Sequence, residues 1–313
     1  MNRFLIFKII KSLINFYLYK DYRTAASQKG GVKNTGRYCY SVWLRHLVKA
    51  HENGFNTFPN NVAEFGPGDS LGVGFAALLS GSKKYIAFDA QPSISTKNNL
   101  KIFEEVLDLF SKRADIPDEN EFQRVKPFLK SYKFPKHILD DERLSSSLRK
   151  DKIKQIRDSI SNTDDPNSII QYRADFYNCD LENEFDMVLS QAVLEHVDDL
   201  KKTYEFIYQI LKDYGFISNQ IDFKSHSTAQ SWDGHWKYSS LVWKIIRGNS
   251  NWLLNRMPFS NHLAFLEENN FKNIKTSRNL SDPTFCRDQL AKEFFLISEL
   301  DRSTSGGFIQ AMK

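Results

Sequence analysis

A doubly wound α/β domain is the fold class this sequence predicts, and three observations predict it. From residue 62 onward, short apolar runs alternate with longer helix-prone stretches, the pattern of successive βαβ units on a parallel sheet. A glycine-rich turn, Gly66-Pro67-Gly68, stands directly after the first apolar run and ahead of a helix. The alternation breaks after residue 92 and resumes at Ile169.

The elements follow in order. A first strand is expected at Val62 to Phe65, a helix at Leu71 to Leu79 and a second strand at Tyr85 to Asp89. Residues 93–165 are charged and helix-prone, with Pro117, Pro127 and Pro135 as breakers. They read as a helical insertion, a lid or substrate-binding segment over the sheet. Strands at Ile169 to Tyr172 and Phe185 to Ser190, a helix at Leu200 to Leu211 and a strand at Phe216 to Asp222 restore the pattern. A polar, aromatic-rich loop (223–240) and helical segments bearing Trp243 and Trp252 come next. Strands near Asn273 to Thr276, Glu293 to Ser298 and Phe308 to Ala311 close the chain.

At 313 residues, 41% of them apolar, one catalytic domain with an insertion is the economical reading. The formal charge of +5 comes from 43 basic against 38 acidic residues. An excess spread so thinly suits an anionic partner without marking a nucleic-acid binder, and none is expected. Cys39, Cys179 and Cys286 are odd in number and lack a CxxC pair, which speaks against a disulfide framework or a zinc site. No metal site is suggested, metal dependence stays open, and a cytoplasmic location is expected.

The first 22 residues form a unit of their own, ahead of a domain from 23 to 313. The stretch FLIFKIIKSLINFYLY (residues 4–19) is apolar but carries Lys8 and Lys11, which make a membrane-spanning helix costly. An amphipathic helix on the anionic inner face of the cytoplasmic membrane fits, with Arg3, Lys8, Lys11 and Lys20 toward the head groups. A helix packed on the protein itself fits as well.

Chemistry concentrates at Ala63-Glu64-Phe65-Gly66-Pro67-Gly68-Asp69-Ser70. Glycines after a strand let the backbone approach a ligand through torsions closed to other residues. One βα unit later the second strand ends in Asp89, where a carboxylate can accept both hydroxyls of a ribose. A dinucleotide-binding oxidoreductase would share this turn, but its GxGxxG fingerprint is not met by Gly66, Gly68 and Gly72.

Glu64 to Gly68 resembles motif I of class I S-adenosylmethionine-dependent methyltransferases, and Tyr85-Ile86-Ala87-Phe88-Asp89-Ala90 resembles their motif II. Phe185 to Val197 (FDMVLSQAVLEHV) is similar to their motif IV and the following helix start. The resemblance covers about residues 60–92 and 165–225 and implies a Rossmann-like seven-stranded sheet with S-adenosyl-L-methionine as cofactor. It places Glu64, Gly66, Gly68, Asp69 and Ser70 along the methionine part, Asp89 and Ala90 at the ribose, Asp175 at the adenine and Gln191 at the edge of the pocket. Asp175 reads equally as a helix cap. The segment Arg37 to His46 has a helical apolar period, and such a helix often packs over the cofactor in this superfamily; Tyr40 or Arg37 would then reach the cofactor carboxylate. Ubiquinone-pathway relatives place an acidic metal-binding residue where this chain has Ala192.

Methyl transfer to a hydroxyl requires a proton acceptor. Of the seven histidines, His196 follows the fourth strand and His226 and His235 lie after the fifth, where open α/β sheets bind ligands. These three are the candidate bases; each reads also as a local hydrogen-bonding residue. Residues 220–226, Gly234 to Trp236, Tyr238-Ser239, Asn255 to Pro258 and 37–46 resemble a bacterial group of methyltransferases associated with cell-surface polysaccharide (O-antigen or lipopolysaccharide) synthesis. That resemblance implies O-methylation of a sugar, with Trp232 and Trp236 as stacking platforms. A small-molecule, lipid or quinone-like acceptor and a non-catalytic cofactor-binding module are the alternatives.

Overall fold

The computed structural model describes Ile10 and residues 35–90, 94–174, 180–248 and 253–313. Apart from Ile10, the N-terminal segment lies outside these, as do Asp175, Cys179 and Trp252. The described chain runs α1 (Gly36–Glu52), β1 (Asn61–Phe65), α2 (Gly72–Leu79), β2 (Lys84–Phe88), α3 (Thr96–Ser111), α4 (Asp141–Ser147), α5 (Lys150–Ile160), β3 (Ile170–Arg173) and β4 (Phe185–Gln191). It continues through α6 (Leu200–Ile210), β5 (Leu211–Asp222), α7 (Ser240–Arg247), α8 (Phe259–Glu268), β6 (Lys272–Leu280), α9 (Glu299–Arg302) and β7 (Thr304–Met312). Seven strands form one sheet in the order β3-β2-β1-β4-β5-β7-β6.

The first five strands pair in parallel, with Ala63 facing Ile86 on one side and Val188 on the other. β7 runs antiparallel between β5 and β6, pairing Ile217 with Ala311 and Thr276 with Ile309. Because successive side chains of a strand point to opposite faces, each apolar run feeds two cores. Val62, Tyr85, Ala87, Met187 and Leu189 join the helices α1, α2, α3 and α5. Ala63, Phe65, Ile86, Phe88 and Val188 pack with α6 and α8 on the other face. A strand buried on both faces reads as a continuous apolar run, which is why the parallel strands were legible. Helix starts are fixed by side chains: Thr35, Asp140, Asp199 and Ser239 each accept from a backbone N–H three residues on.

Within the stretch 93–165, read from the sequence as a helical insertion over the sheet, α3 buries Ile102, Phe103, Val106 and Phe110, and α5 buries Ile156 and Ile160, in the same core as the sheet. What departs from regular structure is the proline-bearing excursion between α3 and α4, including the expected helical piece KPFLKSYKF. It is clasped to α1 by Arg45, a fully buried guanidinium that donates to the carbonyls of Pro117 and Pro127, each at 2.7 Å, and to Tyr132 Oη at 3.3 Å. Four acceptors for one guanidinium, counting Ser41 Oγ at 3.0 Å, satisfy a group too costly to bury unpaired. The expected strand at Glu293–Ser298 is absent: the chain makes a 3-10 turn at Lys292–Phe294, and the place beside β5 is taken by β7.

Candidate active site

The glycine turn leaves β1 with Gly66 at φ +65° and Gly68 at φ +70°. The two glycines are needed for different reasons. A Cβ at Gly66 would lie 2.6 Å from a methyl of Val193, just beyond β4, so this glycine admits another part of the chain rather than a ligand. A Cβ at Gly68 would meet no protein atom within 4 Å; it would stand in the space over the turn. Gly66 N–H donates to Phe88 O at 2.8 Å, tying the turn to the end of β2. Asp89 follows, half-buried, its N–H bonded to Arg173 O of β3 at 3.1 Å, with Ala90 exposed beside it. Gly68, Asp69 and Asp89 thus lie beyond the carboxyl ends of β1 and β2, the side on which open α/β sheets bind ligands.

Several residues expected at the cofactor are placed elsewhere. Tyr40 is fully buried, its hydroxyl donating to Ala114 O at 2.5 Å and its ring edge-on to Phe110, so it belongs to the core rather than the cofactor rim. Arg37 pairs with Glu121 in an exposed two-point ion pair. Ser70 turns inward to Cys39 Sγ at 3.7 Å, and burial pushes the Cys39 thiol up to about 12, which leaves it unreactive.

Glu64, 3% exposed, accepts from Tyr85 Oη at 2.5 Å behind the turn. Burial, opposed by the Tyr85 hydrogen bond and reinforced by the charge of Asp89, pushes its carboxyl up to about 8. The folded state therefore favours protonated Glu64. This stabilisation is complete below the ordinary carboxyl value of 4.5 and is lost as pH rises through about 8. The melting temperature is expected to fall across that window, and Glu64→Gln to flatten the decline by roughly a few degrees; equal pH profiles for both proteins would refute it.

At the carboxyl end of β4, Gln191 is held between two neighbours: Oε1 lies 3.0 Å from His46 Nε2, and Nε2 donates to Lys126 O at 3.2 Å. Burial pushes His46 down to about 4, so it is neutral; a proton on Nε2 serves Gln191 while Nδ1 accepts from Ser218 Oγ at 2.7 Å. Gln191 ends β4 with both ends of its amide engaged by the protein.

Beyond β4 a 3-10 turn (Leu194–His196) carries His196. It is clamped by Asn255, whose amide donates to Leu194 O and Val197 O, each at 2.8 Å, and whose N–H donates to Glu195 O at 2.7 Å. The His196 ring lies 5.0 Å from that of His226. His226 Nε2 in turn is 3.3 Å from Asp222 Oδ2 at the end of β5. Burial works to raise the Asp222 carboxyl, but His226, the charge of Lys224 and the Lys224 N–H on Oδ1 at 3.1 Å hold it below the usual range. Ala192, His226 and Ser227 have φ of +56°, +45° and +63°, a local cost of about 1–3 kcal/mol each that clusters where strands meet ligands.

His235 does not share this position. It is 1% exposed, its ring tilted against Trp236 at 4.7 Å, and burial together with the Arg256 charge pushes it down to about 3. That removes it from the candidate bases. Trp236 is likewise core, 1% exposed with its indole N–H on Arg256 O at 3.1 Å, and provides no sugar platform. Trp232 stays half-buried, its indole N–H donating to Asp282 O. Among the described residues no group of three or more His, Cys, Asp or Glu is arranged to hold a metal. The residues sequence reasoning missed are Val193, Asn255 as the clamp, and Asp222 as the partner of His226; the four-residue spacing from Asp222 to His226 was the available signal for the last.

A methyltransferase-domain family model matches residues 148–218, from the end of α4 into β5 and so through β3 and β4. The glycine turn lies outside that match. No curated protein matches the chain. Among solved structures, an S-adenosylmethionine-dependent methyltransferase from Mesorhizobium loti is similar at 13% identity, with 81% of this chain and 90% of that one covered and a TM-score of 0.38. Phosphoethanolamine N-methyltransferase 2 of Haemonchus contortus, solved with S-adenosyl-L-methionine, is similar at 13% identity over 90% of this chain and 58% of its own, with a TM-score of 0.42. The likeness to both is loose; the family match, the sheet order and the glycine turn make the case. The fold is the Rossmann-like one of class I methyltransferases. The chain carries a methyltransferase domain over residues 148–218, and its activity is S-adenosylmethionine-dependent methylation.

Proposed function

We propose that the protein O-methylates a sugar hydroxyl of a bacterial surface polysaccharide or its precursor, with His226 as the proton acceptor. The observation that carries this reading is the Asp222–His226 pair beyond β5. It adjoins His196, whose turn begins one residue after the Val193 that packs on Gly66. When bound, S-adenosylmethionine supplies an electrophilic methyl on a sulfonium. An alcohol attacking it must shed a proton as the C–O bond forms, and a positioned histidine answers that need. His226 Nε2 is turned to Asp222, so Nδ1 is the nitrogen that takes the proton. Asp222 then faces the imidazolium and stabilises it, while the Asn255 clamp fixes His196 alongside. The products are a methyl ether, S-adenosylhomocysteine and a proton on His226.

The resemblance of residues 220–226 and 255–258 to the polysaccharide-associated group supports a sugar as acceptor. Incubation with methyl-labelled cofactor and a panel of glycosides, with NMR of the product, is expected to give a methyl ether. An N-methyl amine or a methyl ester would sink the assignment, and turnover confined to quinol or lipid acceptors would move it to that second class.

We further place the enzyme at the inner face of the cytoplasmic membrane through residues 1–20, on their sequence pattern alone. Full-length protein is expected to co-sediment with anionic liposomes and a chain lacking residues 1–20 to remain in solution. Liposome-independent behaviour of both would show that the segment packs elsewhere.

A further inference from the structure

We infer that the acceptor carries an anionic group, a carboxylate or a phosphate, which Lys126 and Lys224 hold at the mouth of the site. This rests on the reading above for the acceptor's being a sugar, but not for the anion site itself. Two unrelated segments bring the lysines to one place. Lys126, from the excursion between α3 and α4, is anchored at the end of β4 by its carbonyl, 3.2 Å from Gln191 Nε2. Gln191 pairs with Gln220 of β5, and Lys224 comes four residues after Gln220, its N–H fixed on Asp222 Oδ1.

Among the described residues no carboxylate lies within ion-pair distance of either ammonium, whereas Arg247 pairs with Asp198 and Arg278 with Asp301. Lys224 is exposed, and the Lys126 ammonium lies over the ring of Phe128, itself 43% exposed. The charges are close enough to act on each other: burial and then the Lys224 charge push Lys126 down to about 8. Two like charges brought together from separate segments beside the candidate base, offset only in part by Asp222 next to Lys224 and Glu119 near Lys126, form a cationic field. A bound anion relieves that repulsion, and the carboxylate of a uronic acid or the phosphate of a sugar phosphate supplies it by the same charge-assisted hydrogen bonds. A neutral sugar would leave the repulsion in place.

Calorimetry on the full chain saturated with S-adenosylhomocysteine tests this, using inorganic phosphate, glucose 1-phosphate, methyl glucuronide and its neutral counterpart methyl glucoside. The charged sugars are expected to bind about tenfold or more tighter than the glucoside, with affinity falling as salt rises. Lys126→Met/Lys224→Met should lose that advantage and the phosphate binding, while binding of S-adenosylhomocysteine is kept; Lys126→Arg/Lys224→Arg should retain the preference. The stronger of the two charged sugars tells carboxylate from phosphate. Equal affinity for charged and neutral sugars, failure of every anion to bind, or anion binding unchanged in the double methionine variant overturns the anion site. Lysine-dependent phosphate binding with no sugar bound keeps the anion site and removes the sugar acceptor.

Discussion

Replacing His226 with alanine is expected to lower turnover by a factor of about 10² to 10⁴ while the affinity for S-adenosylhomocysteine stays within a few-fold, because a general base acts on the transition state rather than on the bound cofactor. Asp222 acts through His226, so Asp222→Asn should reduce kcat with KM nearly unchanged, and Asp222→Glu should recover part of the loss. His235→Ala serves as the contrast: its ring is sealed against Trp236, so its loss is expected to lower the melting temperature rather than the chemical step. Wild-type turnover in a folded His226→Ala protein would remove the base assignment.

The second large effect concerns the cofactor. Gly68→Val forces a β-branched residue to φ +70° and projects it into space that no protein atom fills. Asp89→Ala removes the carboxylate just past the end of β2, where the motif resemblance puts the ribose and where charge-assisted hydrogen bonds to its hydroxyls would each be worth about 1.5–3 kcal/mol. Either change should weaken S-adenosylhomocysteine binding by about 100-fold or more in calorimetry, with the circular dichroism spectrum kept. Gly66→Val is a different experiment, since its side chain meets Val193; it should first disturb the turn beyond β4. Unaltered affinity in both folded Gly68 and Asp89 variants would place the cofactor elsewhere.

Sequence pattern revealed the sheet because doubly buried strands are mostly apolar on both faces, and it revealed the glycine turn because few residue types tolerate those torsions. It was weaker wherever a polar residue's partner lies far along the chain. Glu64 carries the motif's acid, yet its partner is Tyr85 on the neighbouring strand. An amphipathic helix announces that Tyr40 is buried, but whether its hydroxyl meets a ligand or Ala114 O depends on a segment 74 residues away. Three histidines looked alike in the sequence, and only packing separates His226, beside Asp222, from His235, enclosed by Trp236 and Arg256. The run Glu293–Ser298 is apolar enough for a strand, but Leu296 is left at the surface because strand periodicity carries no information on which sheet positions are already filled.

The placement of β7 has a consequence for how the molecule protects itself from its own copies. β7 follows β6 in the chain yet lies inside it, and among the described residues β6 pairs with no strand other than β7. Any species in which β7 has not docked therefore presents the long flank of β5 as an open hydrogen-bonding edge, a template for another chain. Gln310 of β7 also donates to Ser218 Oγ at 2.8 Å and to His46 O at 3.2 Å, and accepts from Asn53 at 2.8 Å. Closing that edge and seating α1 over the sheet are thus one event, so self-association during refolding should rise with concentration and be aggravated by Gln310→Ala.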